Sequence, residues 1–153
     1  MTDISNRMFS LAPLCAPPPA PPLAFCLRLD GDKLAASQVA KLLEVWRSTQ
    51  ADDAFVRNLL SDAVVAFDRG VRIAGWKDVL AWQKKDRGVS FLIEPDRIEG
   101  RRDSVVVYGR MVTMDSGRFR SAASTQTWRR EADGHYRLQS WTVEDFVATD
   151  IPL

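Results

Sequence analysis

A chain of 153 residues, 46% hydrophobic and 27% charged, is long enough for one domain with a real core and needs no disulfide staple. With 21 basic against 20 acidic side chains the net charge is +1, so there is no global field to draw nucleic acid or an anionic membrane surface. No apolar run approaches the roughly 20 residues of a membrane span. Neither nucleic acid nor membrane is expected as a partner, and a cytoplasmic location is the default. The two cysteines, Cys15 and Cys26, have no metal-like spacing and read as reduced thiols.

Residues 1–29 hold Pro13, Pro17, Pro18, Pro19, Pro21 and Pro22, a density that favours extended polyproline II over helix or central strand. This segment reads as a disordered or loosely packed leader, with Pro18-Pro19-Ala20-Pro21 as a loose match to a proline-reading domain. The folded domain is expected over residues 30–153. Asp32 or Ser37 suits a helix cap, and Val39, Leu42, Leu43 and Trp46 follow at helical spacing. Asp52 and Asp53 stand before a second, short helix with Phe55, Val56, Leu59 and Leu60, ending at Ser61-Asp62. Ala63–Phe67 is a β-branched and aromatic run stopped by Asp68-Arg69-Gly70, a short strand and a turn, with Val71–Ala74 pairing back. Gly75 opens a third helix with Trp76, Val79, Leu80 and Gln83 on one side, closed by Asp86-Arg87-Gly88.

From Val89 the hydrophobic period changes from 3.6 to 2. Val89–Ile98 is a strand in which Pro95 calls for an edge or a bend. Ser104–Met114, with Val105, Val106, Val107 and Tyr108, is the strongest strand. Phe119–Arg130 and Tyr136–Phe146 then form a long hairpin around Ala132-Asp133-Gly134, where Asp-Gly tolerates positive φ. Strict alternation puts Tyr136, Leu138, Ser140 and Thr142 on one face of the last strand and Trp141 and Val143 on the other, which then needs a cover of its own. Helices first and an antiparallel meander last is the pattern of an α+β domain.

Leu59-Leu60-Ser61-Asp62-Ala63-Val64-Val65, the Gly75 at the third helix and the closing Trp128, Asp133-Gly134 and Leu138 resemble the nuclear transport factor 2-like superfamily, and within it the SnoaL-like group, over roughly 34–146. The resemblance implies a cystatin-like cone, its helices packed in a curved, mostly antiparallel sheet around an apolar pocket, and a homodimer through the outer sheet face. It also implies a choice of functions, since such domains include isomerases, cyclases, dehydratases and non-catalytic association modules.

Ketosteroid isomerases carry a general base at the end of the strand that holds Asp68 here. Aligned through Asp62-Ala63, the base position falls on Phe67, and Asp68 comes one residue later, on the opposite face unless a bulge intervenes. Otherwise Asp68 is a turn residue beside Gly70. Glu144 and Asp145 stand near the acid/base carboxylate of SnoaL-like cyclases. At most one of them faces the pocket: the parity of Tyr136 and Leu138 selects Glu144, and a bulge selects Asp145. Tyr108 and Arg110 share a strand face, and such a pair suits a carboxylate or enolate oxygen. Trp46, Phe67, Trp76, Trp82 and Phe91 are candidates for pocket walls. His135, beside the hairpin turn, reads as a surface residue. With a single histidine and no acidic cluster, neither metal nor cofactor is expected. The expected function is binding of a hydrophobic small molecule, with or without cofactor-free acid/base chemistry; the alternative is a non-catalytic dimeric association module.

Overall fold

The computed structural model describes residues 27–48, 52–85, 91–115 and 118–148, and the leader up to residue 26 and both cysteines lie outside them. In chain order the elements are β1 (Arg28–Gly31), α1 (Lys33–Ser48), α2 (Asp53–Leu59), β2 (Leu60–Asp68), β3 (Val71–Ala74), α3 (Trp76–Lys85), β4 (Phe91–Gly100), β5 (Ser104–Asp115), β6 (Arg118–Arg130), β7 (Tyr136–Val143) and β8 (Val147–Ala148). One curved, open sheet runs in the order β1-β4-β5-β6-β7-β2-β3, with β8 on the side of β6. The β1–β4 and β2–β7 pairs are parallel and the other pairs antiparallel. The α+β cone expected from the sequence is the fold observed.

Local chemistry sets each boundary. The Asp32 carboxylate accepts the Ala35 N–H at 3.2 Å and starts α1, whose Ala35, Ala36, Val39, Leu43 and Trp46 form one buried stripe while Leu34 stays outside. The start of α1 rests on a close backbone approach: the Asp32 N–H donates to Gly100 O at 2.9 Å, and a Cβ on Gly100 would collide with Asp32 O. Asp52 caps α2 through the Phe55 N–H at 2.9 Å. α2 ends at Leu59, so Leu60, Ser61 and Asp62 belong to β2 and not to the helix. Arg69 and Gly70, with φ of 51° and 85°, make the two-residue turn that returns β2 into β3. Pro95 lies on the stretch of β4 beyond the reach of β1, which pairs only with Arg97–Gly100, and the β4–β5 register shifts immediately after it. That is the bend and the edge a proline requires.

The helices cover one face of the sheet, here called the inner face. Its core joins Val39, Leu43 and Trp46 of α1, Val56 and Leu59 of α2 and Val79 of α3 to Ile93, Ile98, Val105, Val107, Met111, Trp128, Leu138, Trp141 and Val143. Two register shifts decide which side chains reach this face. In β7, Trp128 opposes Leu138 while Thr127 opposes Ser140, so Gln139 is an extra residue. Strict alternation therefore fails for β7: Tyr136, Leu138, Trp141 and Val143 are all buried in one core, and Trp141 and Val143 need no second cover. In β2 a shift between Leu60 and Val65 leaves Val64, Ala66 and Asp68 on the inner face, and Val65 and Phe67 on the outer one.

Candidate ligand site on the inner face

Cross-strand register lays the inner face out in rows. Ile98, Val107, Gln126, Trp141 and Ala66 oppose one another across five strands, and the next row runs through Gly109, Ser124, Val143 and Asp68. Two tryptophans of this face, Trp128 and Trp141, meet two from the helices, Trp46 and Trp82. The Trp141 ring lies 5.0 Å from Trp82 and 5.6 Å from Trp46, with interplanar angles of 79° and 75°, and Trp46 meets Trp128 at 6.5 Å and 77°. These are edge-to-face contacts, which place ring hydrogens against π faces.

Three of the indole N–H groups are bonded inside the site. Trp128 Nε1 donates to Gln126 Oε1 at 3.0 Å, Trp141 Nε1 to Ser124 Oγ at 2.9 Å, and Trp82 Nε1 to Asp68 Oδ2 at 3.0 Å. Asp68 thus ends β2 with one oxygen on the tryptophan wall, while Oδ1 pairs with Arg69 Nε at 3.0 Å and 19% of the side chain is exposed. The carboxylate thus has one oxygen bonded to the tryptophan wall and the other paired with the Arg69 guanidinium.

Two buried amides complete the site. Gln126 is 1% exposed; its Oε1 is used by Trp128, and its Nε2 has no hydrogen-bond partner among the described residues. Gln83, fully buried on α3, has a partner for neither Nε2 nor Oε1 among them.

The structure brings together Asp68, Trp46 and Trp82 of the residues singled out in the sequence. It separates the others. Tyr108 and Arg110 alternate with Val107 and Met111 and lie on the outer face, where the Arg97 guanidinium covers the Tyr108 ring at 4.2 Å and Arg110 pairs with Glu94 at 3.0 Å. Phe67 is on that face too, opposite Thr142. Trp76 lies under Arg57, whose guanidinium is 4.0 Å from the ring centre, and has no ring contact with the other tryptophans. Glu144 and Asp145 follow the end of β7 and are exposed. Phe91 pairs with Thr113 at the start of β4, and its side chain lies outside the described residues. In the sequence Trp128 stands out only within the family motif, Trp141 only as a residue of the face opposite Leu138, and Gln126 not at all, because nothing short of the register tells which strand face carries them. Gln83 had been placed on the apolar side of its helix. A glutamine within a buried stripe was the available signal.

Elsewhere, a hollow of about 230 Å³ between α1 and β4 is lined by Leu27, Ala40, Leu43, Arg47 and Pro95, and a polar one of about 450 Å³ by Arg57, Ser61, Asp62, Glu131 and Arg137. Among the described residues no group of three or more His, Cys, Asp or Glu could hold a metal ion, and no helix is long and apolar enough to cross a membrane.

No family model and no curated protein matches the sequence. Solved structures do. An NTF2-like protein of unknown function from Pseudomonas putida KT2440 superposes with a TM-score of 0.60 at 16% identity, covering 74% of this chain and 88% of that one. The chain has the nuclear transport factor 2-like fold. A conserved protein from Planctomyces limnophilus is similar at a TM-score of 0.57 and 21% identity, over 77% of this chain and 98% of that one. A computationally designed 17-OHP binder has a TM-score of 0.57 at 12% identity, over 76% and 97%. In this nuclear transport factor 2-like domain the tryptophan cluster and Asp68 thus sit between the helices and the inner face of the cone.

Proposed function

We propose that the inner face of the cone binds a flat, hydrophobic small molecule and that Asp68 transfers a proton on it without a cofactor. The observation that carries this reading is the hydrogen bond from Trp82 to Asp68, which fixes a carboxylate at the edge of an aromatic wall. Trp46 and Trp82 are the walls of the site in this reading. The designed 17-OHP binder of the same fold supports a ligand of that shape. A base held beside a bound ketone removes a proton from the carbon next to the carbonyl and returns it further along, the chemistry of an isomerase.

The test is the conversion of a β,γ-unsaturated cyclic ketone to its conjugated isomer, followed by absorbance. The wild-type chain should accelerate it, and Asp68→Asn should lose roughly 10²–10⁴ of that acceleration with the thermal melt unchanged. Acceleration that survives in Asp68→Asn, or none in the wild type, removes the acid/base role and leaves a binding domain.

A second reading, a homodimeric association module, is supported by the outer face. There Phe67, Thr142, Thr125 and Tyr108 form one cross-strand row and Val65, Ser140, Thr127 and Val106 the next, all uncharged. Two copies facing each other across these rows would bury them symmetrically.

A further inference from the structure

We infer that the hollow between α1 and β4 is the seat of this chain's own leader, with the Phe25 ring inside it and the proline run of residues 17–22 held at that edge of the cone. The inference is independent of the small-molecule reading, because neither the tryptophans nor Asp68 line this hollow. Its wall is made by Leu27, Ala40, Leu43 and Pro95, with the exposed Lys41 and Glu44 and the half-buried Arg47 beside them. The hollow measures about 230 Å³. A dry cavity of roughly 150 Å³ already takes a benzene ring, so there is room for one phenyl group.

The direction of the chain brings the leader to this place. β1 runs parallel to β4, with Arg28 beside Arg97 and Leu29 beside Ile98, so each step back from Arg28 leads toward Pro95. Leu27 and Pro95 both line the hollow, and the leader ends at Cys26, so it joins the domain at the hollow's own wall. The side-chain pattern selects the occupant. Leu27 and Leu29 both pack against the core, and alternation carries that apolar series back through Phe25 to Leu23, with Ala24, Cys26, Arg28 and Asp30 on the other side. Pro95 has no N–H to offer a neighbouring strand, so the leader brings a side chain to this wall and not a further ladder.

Arg47 adds a polar reason. Its Nε is buried and has no hydrogen-bond partner among the described residues. A buried donor calls for an acceptor, and the backbone carbonyls of residues 23–26 are acceptors that arrive with the ring. The apolar stems of Lys41 and Arg47 can cover the ring from outside. A segment tethered at Leu27 has an effective concentration of roughly millimolar or more, which places it ahead of a free partner.

The experiment is limited chymotrypsin digestion of the full chain under native conditions, with the products identified by mass. A Phe25 seated in the hollow is closed to the protease. Cleavage after Phe25 should be at least roughly tenfold slower in the wild type than in Ala40→Glu, which sets a carboxylate where the ring would lie. Near-ultraviolet circular dichroism of the tryptophans checks that the variant is folded. Arg47→Glu, at a half-buried position, removes the donor instead and should also speed the cut, so the test stands if Ala40→Glu does not fold. Equal cleavage in the wild type and a folded variant would overturn the inference and leave the hollow to a free molecule. Protection that grows with protein concentration would seat the leader of a second copy there, and would overturn it as well.

Discussion

Asp133 occupies the turn between β6 and β7, where it accepts from the His135 backbone N–H and from Arg137 Nη1, each at 3.0 Å, with Arg137 Nη2 2.8 Å from its other oxygen. The Arg137 hydrogen bond first, and the His135 N–H second, hold this carboxyl at about 2 instead of the usual 3.8. The folded value lies below the unfolded one, so the carboxylate's contribution to stability is complete above about pH 4 and is lost as the pH falls towards 2. The site is exposed and screened by salt, which keeps that contribution small. The cause is open to measurement. An NMR titration of the Asp133 carboxyl should give a midpoint near 2 in the wild type and one moved back towards 3.8 in Arg137→Met. A midpoint that Arg137→Met leaves in place would assign the depression to the turn backbone alone. Asp133 also shows what was legible at this scale: an Asp-Gly between two alternating runs announces a turn, and the turn is there. Asp68 was harder. Its neighbours Arg69 and Gly70 gave it the look of a turn residue. Its inner-face position depends on the register of β2 against β7, which involves residues more than seventy positions away in the chain.

At the scale of elements, the three helices and the long strands follow from caps, turn residues and the switch of hydrophobic period. What the pattern could not give was the side of the sheet on which each residue stands. One extra residue in a strand exchanges the two faces for everything beyond it, and nothing in the composition of Gln139 marks it as that residue. The parallel pairing of β1 with β4 was hidden for a related reason: Arg28–Gly31 is too short to show a period, and its partner lies across the whole helical layer. The bulge makes a sharp prediction. Deleting Gln139 would return β7 to plain alternation with Tyr136, Leu138, Trp141 and Val143 all on the inner face, so the core keeps its members. The deletion should therefore keep the near-ultraviolet circular dichroism of the tryptophan cluster and a cooperative melt. Gln139→Ala loses only a 3.3 Å hydrogen bond to Glu131 and keeps the residue count, so it should stay within about 0.5–1 kcal/mol of wild type. A deletion variant that loses the tryptophan signal and the cooperative melt would show that the local geometry of the bulge, and not face parity alone, holds the core together.

For the whole molecule, the two faces of the sheet pose different problems. The inner face is covered by the helices and carries the tryptophan cluster and Asp68. The outer face has charge at both margins of its middle rows, Arg97 and Glu99 on β4 and Arg72 on β3, and none between them. Val106 and Val112 on that face are 6% and 7% exposed, already shielded by their neighbours, whereas Thr125 is open to solvent between Tyr108 and Thr142. An uncharged strip of small and β-branched residues meets its own copy without burying an unpaired ion, and a stable pair would cover about 800 Å² on each partner. Thr125 is the residue at which to test this, because a long cation there would face its symmetry mate or the mate's Tyr108. Sedimentation velocity should find the wild-type chain as a dimer at tens of micromolar, and Thr125→Arg as a monomer with an unaltered inner face. The second half of that expectation separates the two functions. If Thr125→Arg is monomeric and still accelerates the ketone conversion, the ligand site is complete within one chain and the dimer is a separate property of the outer face. If the variant stays dimeric, the outer rows are not the interface. If the wild type is itself a monomer, the association reading falls and the inner face is left to account for what this domain does.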